Sequence, residues 1–187
     1  GKQMVNGLVH LPLVLPPVVT GYLLLSAFGS TSWLGGLFES IGLPLAFRWT
    51  GAALAAAVMA FPLMVRAIRL SLEAVDPGLE EAAATLGASR PWIFATVTFP
   101  LILPGVIAGS ILAFAKAMGE FGATITFVAN IPGQTQTLPS AVYAFLQVPG
   151  GESAAGRLVI IAIIIAMGAL ILSEVMARRV AKRGACT

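Results

Sequence analysis

EAVDPGLEEAAATLGASRPWIFATVTFPLILPG, residues 73–105, is a charged passage that leads into an apolar run and follows another. Asp76 followed by Pro77 reads as a helix start, because Asp can cap free amides and Pro suits the first helical position. Leu79, Ala82, Ala83 and Leu86 then recur at helical spacing as one narrow apolar stripe. Glu80, Glu81 and Thr85 lie off that stripe, and acids near a helix start are favoured by its dipole. Gly87 is placed to end the helix in the left-handed conformation that glycine tolerates. Ser89 is placed to cap a second helix through Trp92, Ile93 and Phe94 toward Pro100. The expected product is a short helix, a sharp glycine turn and a second helix.

The composition outside this passage sets its solvent. The chain has 187 residues, of which 58% are hydrophobic and 10% charged. That is too little charge to cover a soluble domain of this length. Crossing a bilayer as a helix takes about 20 mostly apolar residues. Four stretches meet that requirement: Leu8 to Phe28, Gly51 to Leu70, Leu101 to Phe121 and Leu158 to Met176. Lipid cannot satisfy backbone polar groups, so the spans must be helices. The fold class read from this is all-α, a polytopic transmembrane helix bundle forming one domain over residues 1–187.

Basic residues fix the expected orientation, since short cytoplasmic loops keep Lys and Arg. With the tail inside, Lys2, Arg66, Arg69, Arg90, Arg178, Arg179, Lys182 and Arg183 fall on the cytoplasmic side or at its boundary. Arg48, Lys116 and Arg157 fall toward the other side. Four spans then put both ends of this chain inside, and the charged loop over residues 71–99 faces the cytoplasm. The net charge of +3 forms no continuous face, which argues against nucleic acid. The one cysteine, Cys186, excludes an internal disulfide and a cysteine-rich metal site.

Other segments carry weaker signals. Trp33, Leu34, Leu37, Phe38 and Ile41 recur at helical spacing, either along the outer membrane interface or as a loop packed on the bundle. Residues 119–156 read as irregular with one short helix at Ser140 to Gln147. Pro12, Pro16, Pro17, Pro62, Pro100 and Pro104 each remove a backbone donor and favour a kink, serving either a transport path or packing alone.

On chemistry alone the alanine-lined helix before Gly87 is either a docking element for a partner or an amphipathic helix resting on lipid headgroups. A resemblance decides between them. Permeases of binding-protein-dependent ATP-driven importers carry EAA, three residues, G, nine residues, then I-x-L-P. Here Glu81, Ala82, Ala83 and Gly87 match in register, followed after nine residues by Val97, Thr98, Phe99 and Pro100. Val97 and Phe99 depart from the pattern and keep its apolar character.

HLPLVLPPVVTGYLLL from His10, FPLMVRAIRLSLEAVD from Phe61 and GEFGATITFVANIPGQTQTLPSAVY from Gly119 resemble the molybdate permease subgroup. Sulfate, thiosulfate and tungstate permeases are its close relatives.

That resemblance implies the permease fold of a type I importer, usually with a further span before the first one seen here. It implies a coupling role for Glu81, Ala82, Ala83 and Gly87, with Glu80, Leu86 and Arg90 as neighbouring candidates, on a separate ATPase subunit. It also implies an external oxyanion-binding protein, a second permease copy around a central pore, and a place in the cytoplasmic (inner) membrane. The chain has no G-x-x-x-x-G-K-[ST] phosphate loop, so ATP is expected on the partner and no cofactor or catalytic residue on this chain.

Candidate pathway residues are Lys116, Glu120, Thr124, Thr126 and Asn130. Ionisable groups are expensive at membrane depth, so Lys116 and Glu120 either serve a pathway or pair with each other. The polar three offer donors to an oxyanion or cap helices. An ion-coupled secondary transporter is the alternative class, and it calls for acidic residues at mid-membrane. None of Glu39, Glu73, Asp76, Glu80, Glu81, Glu152 or Glu174 sits there.

Overall fold

The structure, a computed structural model, describes the chain from Gly1 to Gly184. The expected cations at Lys2, Arg178, Arg179, Lys182 and Arg183, and Cys186, lie outside the described side chains. Among the described residues every regular element is helical: α1 (Lys2–Val14), α2 (Pro17–Phe28), α3 (Trp33–Ser40), α4 (Trp49–Glu73) and α5 (Pro77–Thr85). α6 (Arg90–Ile93), a π-helical turn (Phe94–Thr98), α7 (Phe99–Met118), α8 (Gly122–Val128), α9 (Leu138–Leu146) and α10 (Glu152–Gly184) follow.

Three helical runs are long and apolar enough to cross a membrane: Trp49–Glu73, Arg90–Met118 and Glu152–Met176. The expected first span is the exception. α1 and α2 are bent by 115° at a break, so Leu8 to Phe28 is no single straight helix but either a broken span or a re-entrant loop, and the total reaches four only if the bent pair counts as one. Prolines cause the break. Leu15 and Pro16 each precede a proline, which disfavours helical backbone, and they adopt ψ of 144° and 136°. Pro12, Pro62 and Pro104 instead lie inside α1, α4 and α7 without ending them.

The expected third span begins earlier than Leu101, because α6, the π turn and α7 form one helical run of 29 residues from Arg90, and it stops at Met118 rather than Phe121. The fourth begins at Glu152, whose acid suits the first turn of α10. Residues 119–156 hold two short helices where one was expected, and α9 occupies Leu138–Leu146 rather than 140–147. α9 starts on a reciprocal cap between Thr137 and Ser140.

The chain forms two compact units, with boundaries inside α4, α7 and α10. The first comprises Gly1–Pro62 and Ala113–Ala166. Its core is Leu24, Ala55, Met59, Ala123, Phe127 and Val128, where α2 packs on α8 and α3. Gly21 makes this possible, since a Cβ there would stand 2.5 Å from the Ala123 carbonyl oxygen. Phe28 closes on Phe38 of α3 with ring centroids 5.6 Å apart. Trp33 is nonetheless 81% exposed.

The second unit comprises Leu63–Leu112 and, among the described residues, 167–184. Here Gly105 and Gly109 on α7 meet Ser71 and Ala67 on α4, small residues four apart on both sides that let two helix backbones come close. α5, α6 and the π turn also belong to this unit and pack on one another.

Candidate functional site

α5 and its turn are built by local rules. The Asp76 carboxylate accepts from the Gly78 amide at 2.9 Å, Pro77 occupies the first turn, and Glu80 adds the acid favoured there. At the other end the Gly87 amide donates to the Ala84 carbonyl at 3.0 Å and the Ala88 amide to the Ala83 carbonyl at 3.2 Å. With Gly87 at φ 83°, this is the six-to-one and five-to-two pairing of a Schellman ending. A Cβ at Gly87 would meet nothing within 4 Å, so backbone conformation, not space, requires glycine there. Ser89 stands at the start of α6 but makes no side-chain cap, contrary to expectation; Pro91, with no amide to donate, already suits the first turn.

The helix thus held presents an unusual surface. None of its residues is buried, Glu81 and Ala82 are exposed, Ala83 is half-buried, and Leu86 is 88% exposed. Exposed alanines and an apolar Leu86 on a capped helix form a surface that a partner's backbone can approach closely. Glu80 differs from its neighbours. Its carboxylate accepts from the hydroxyl of Thr98, a buried residue in the π turn. Glu80, Glu81, Ala84, Arg90, Ile93, Phe94 and Thr98 together line a cleft of about 540 Å³. Thr98 was not among the expected site residues, and a threonine between two apolar neighbours carries no sequence signal of such a bond.

The expected pathway residues gather in the first unit, around the break between α7 and α8. Lys116 lies 2.8 Å from the Glu120 carboxylate, whose other oxygen accepts from the Ala123 amide at 2.9 Å. Glu120 therefore pairs and caps α8 at once. Thr124 donates to the Phe121 carbonyl at 2.9 Å and Thr126 to the Gly122 carbonyl at 2.8 Å. These hydroxyls are spent on their own helix turn. Asn130 Oδ1 lies 3.0 Å from Ser140 Oγ at the start of α9. Of the five, Lys116 keeps the most unspent donor capacity: its side chain is 31% exposed and has three N–H groups.

Long apolar helices and a bent first helix pair mark the chain as a polytopic membrane protein, and a capped, unburied helix beside a cleft sets it apart from a plain helix bundle. The chain belongs to the binding-protein-dependent transport system inner membrane component family, whose model matches residues 1–183. It is 60% identical over 179 residues to the molybdenum transport system permease protein ModB of Escherichia coli K12, covering 95% of this chain and 78% of that one. It is 56% identical to ModB of Haemophilus influenzae, over 98% of this chain and 80% of that one. It is 38% identical to a probable sulfate transport system permease protein, cysT, of Chlorokybus atmophyticus, over 79% of this chain and 51% of that one. A solved bacterial ABC transporter involved in import of the acidic polysaccharide alginate superposes with a TM-score of 0.70. That match is 19% identical and covers 95% of this chain and 66% of the other, and it speaks for the fold.

Proposed function

We propose that this chain is the membrane-spanning subunit of an ATP-driven importer that carries a tetrahedral oxyanion, molybdate, into the cell. Identity of 60% to the E. coli molybdenum permease over 95% of this chain carries this reading. Two sulfate relatives stand lower, at 38% and 44%, which favours molybdate over sulfate within the same ligand class. In this reading two copies enclose the pore, an external binding protein delivers the anion, and a separate ATPase subunit supplies the energy. The termini and α5 face the cytoplasm.

The docking surface of the proposal is Glu81, Ala82, Ala83, Leu86 and the turn at Gly87. Its support is the helix's complete lack of buried residues combined with firm caps at both ends. Such an element spends nothing on its own core and holds its shape for another protein. Lys116 is the residue of the pathway set best placed to meet an anion.

The test reconstitutes the permease with its ATPase subunit and binding protein in proteoliposomes. ATP-dependent molybdate uptake that equimolar sulfate does not displace is the expected result. A Gly87→Pro substitution forces φ near −65° where 83° is needed and should strip the ATPase subunit from the purified complex. Co-purification at wild-type yield would overturn the docking assignment.

A further inference from the structure

We infer that Glu80 is a positioning residue for coupling: through Thr98 it braces the docking helix against the π turn at the root of the third apolar span. The inference rests on the docking role proposed for α5. The Glu80–Thr98 bond joins residues 18 apart in sequence and two different elements of the second unit. α5 has no buried residue, so core packing does not hold it. Its attachments are the covalent turn at Gly87, its start at Asp76, and contacts with α6 and the π turn, among which this side-chain bond reaches the middle of the helix.

The partners suit a strut. Thr98 is 5% exposed, which limits water at its hydroxyl even though both partners line the cleft, and the acceptor is a carboxylate, which strengthens the bond. The π turn is the second half of the argument. Its widened hydrogen-bonding ring inserts an extra residue into an otherwise α-helical run, a feature frequent at functional positions. Thr98 closes the π turn directly before α7 in the continuous run from Arg90, so a push on α5 that reaches Thr98 enters that run at the turn. Without the brace, α5 pivots about Gly87 and the push is lost in the turn. Glu80 thus looks inward while Glu81, one residue on, faces outward.

The experiment uses the intact transporter in proteoliposomes and reads two quantities: ATPase subunits retained per permease, and molybdate transported per ATP hydrolysed. Thr98→Val keeps the shape and removes the donor; Glu80→Ala removes the acceptor. Each should retain the ATPase subunit and lower molybdate per ATP roughly tenfold or more, the range expected for one hydrogen bond to a charged group. Thr98→Ser and Glu80→Gln restore a donor and an acceptor oxygen and should recover most of the ratio. The double variant Glu80→Ala with Thr98→Val should be no worse than the worse single one.

A wild-type ratio in Thr98→Val, or equal defects in Thr98→Ser and Thr98→Val, overturns the brace. Should Thr98→Val fail to accumulate, a wild-type ratio in Glu80→Ala overturns it alone, since that side chain is only half-buried. Failure of the docking reading looks different. There, Gly87→Pro keeps the ATPase subunit whatever Glu80 and Thr98 do.

Discussion

Lys116 holds its ammonium 2.8 Å from the Glu120 carboxylate, yet the two are unequally sheltered, with side chains 31% and 1% exposed. The asymmetry decides which partner the fold misses more. Lys116→Met strands a sheltered carboxylate with only the Ala123 amide for company, and an unpaired buried charge costs about 3 kcal/mol or more. Glu120→Gln leaves a lysine that still reaches the surface and keeps an oxygen to cap α8. Thermal unfolding of the purified permease should therefore rank Lys116→Met well below Glu120→Gln. Lys116→Met combined with Glu120→Gln should regain stability over Lys116→Met alone. A Lys116→Met protein as stable as the wild type would sink this account.

Gly21 sets the distance between α2 and α8. A methyl at this position would lie 2.5 Å from the Ala123 carbonyl oxygen, 2.9 Å from the Ala123 Cα and 2.9 Å from the Thr126 Cβ. Two of these are backbone atoms and cannot swing away, so Gly21→Ala must part the helices around Phe127 and Val128. Overpacking of this kind costs about 1–3 kcal/mol. Gly36→Ala on α3 is the control, because a Cβ there meets nothing within 4 Å. It should be neutral or gain about 0.5 kcal/mol from reduced unfolded-state freedom. Equal melting temperatures for the two variants would refute the claim.

What was legible in the sequence follows the range of the forces involved. The α5 elbow was readable from Asp76, Pro77 and Gly87, because capping and left-handed turns are decided within a few residues. The apolar runs were readable because lipid filters by length and composition. The break at Leu15 and Pro16 was half legible: consecutive prolines promise a bend, yet its 115° depends on what α1 and α2 meet. Glu80 and Glu81 look alike in sequence, and only the fold turns one toward Thr98 and the other outward. The cap shared by Thr137 and Ser140 was hidden because Ser stands where Glu or Gln usually marks a capping box. Gly105 and Gly109 carry a visible four-residue spacing, but nothing in the sequence names Ser71 and Ala67 as the surface they meet.

Thr20 predicts a result opposite to the usual core substitution. Its hydroxyl oxygen is buried on α2 and finds no hydrogen-bond partner among the described residues. Leaving a buried hydroxyl unsatisfied is unfavourable, and replacing it with an apolar group of the same shape removes that penalty. Thr20→Val should hold stability within about 0.5 kcal/mol of the wild type or raise it by roughly 1 kcal/mol. A loss beyond roughly 1 kcal/mol in thermal unfolding would mean that the hydroxyl has a partner after all.

The contact between α4 and α7 offers a test by suppression. A Cβ built on Gly105 falls 1.6 Å from the Ser71 Oγ and 2.6 Å from its Cβ, while the next atom, the Ala67 carbonyl oxygen, stands at an ordinary 3.7 Å. The whole obstruction is therefore one side chain. Ser71 cannot simply rotate out of the way, because its Cβ is fixed by the helix and its hydroxyl is engaged with the Ala67 carbonyl at 2.9 Å. Gly105→Ala alone should lower stability by about 1–3 kcal/mol. Ser71→Gly alone should cost about 0.5–1 kcal/mol, the entropic penalty of glycine inside a helix. Together the two should be more stable than Gly105→Ala by itself, since the second removes both close atoms and leaves the new methyl the space it needs. Unfolding of the four proteins side by side reads the coupling directly. If the double variant is no more stable than Gly105→Ala, Ser71 is not what holds α7 at this distance, and the packing of these small residues has been misassigned.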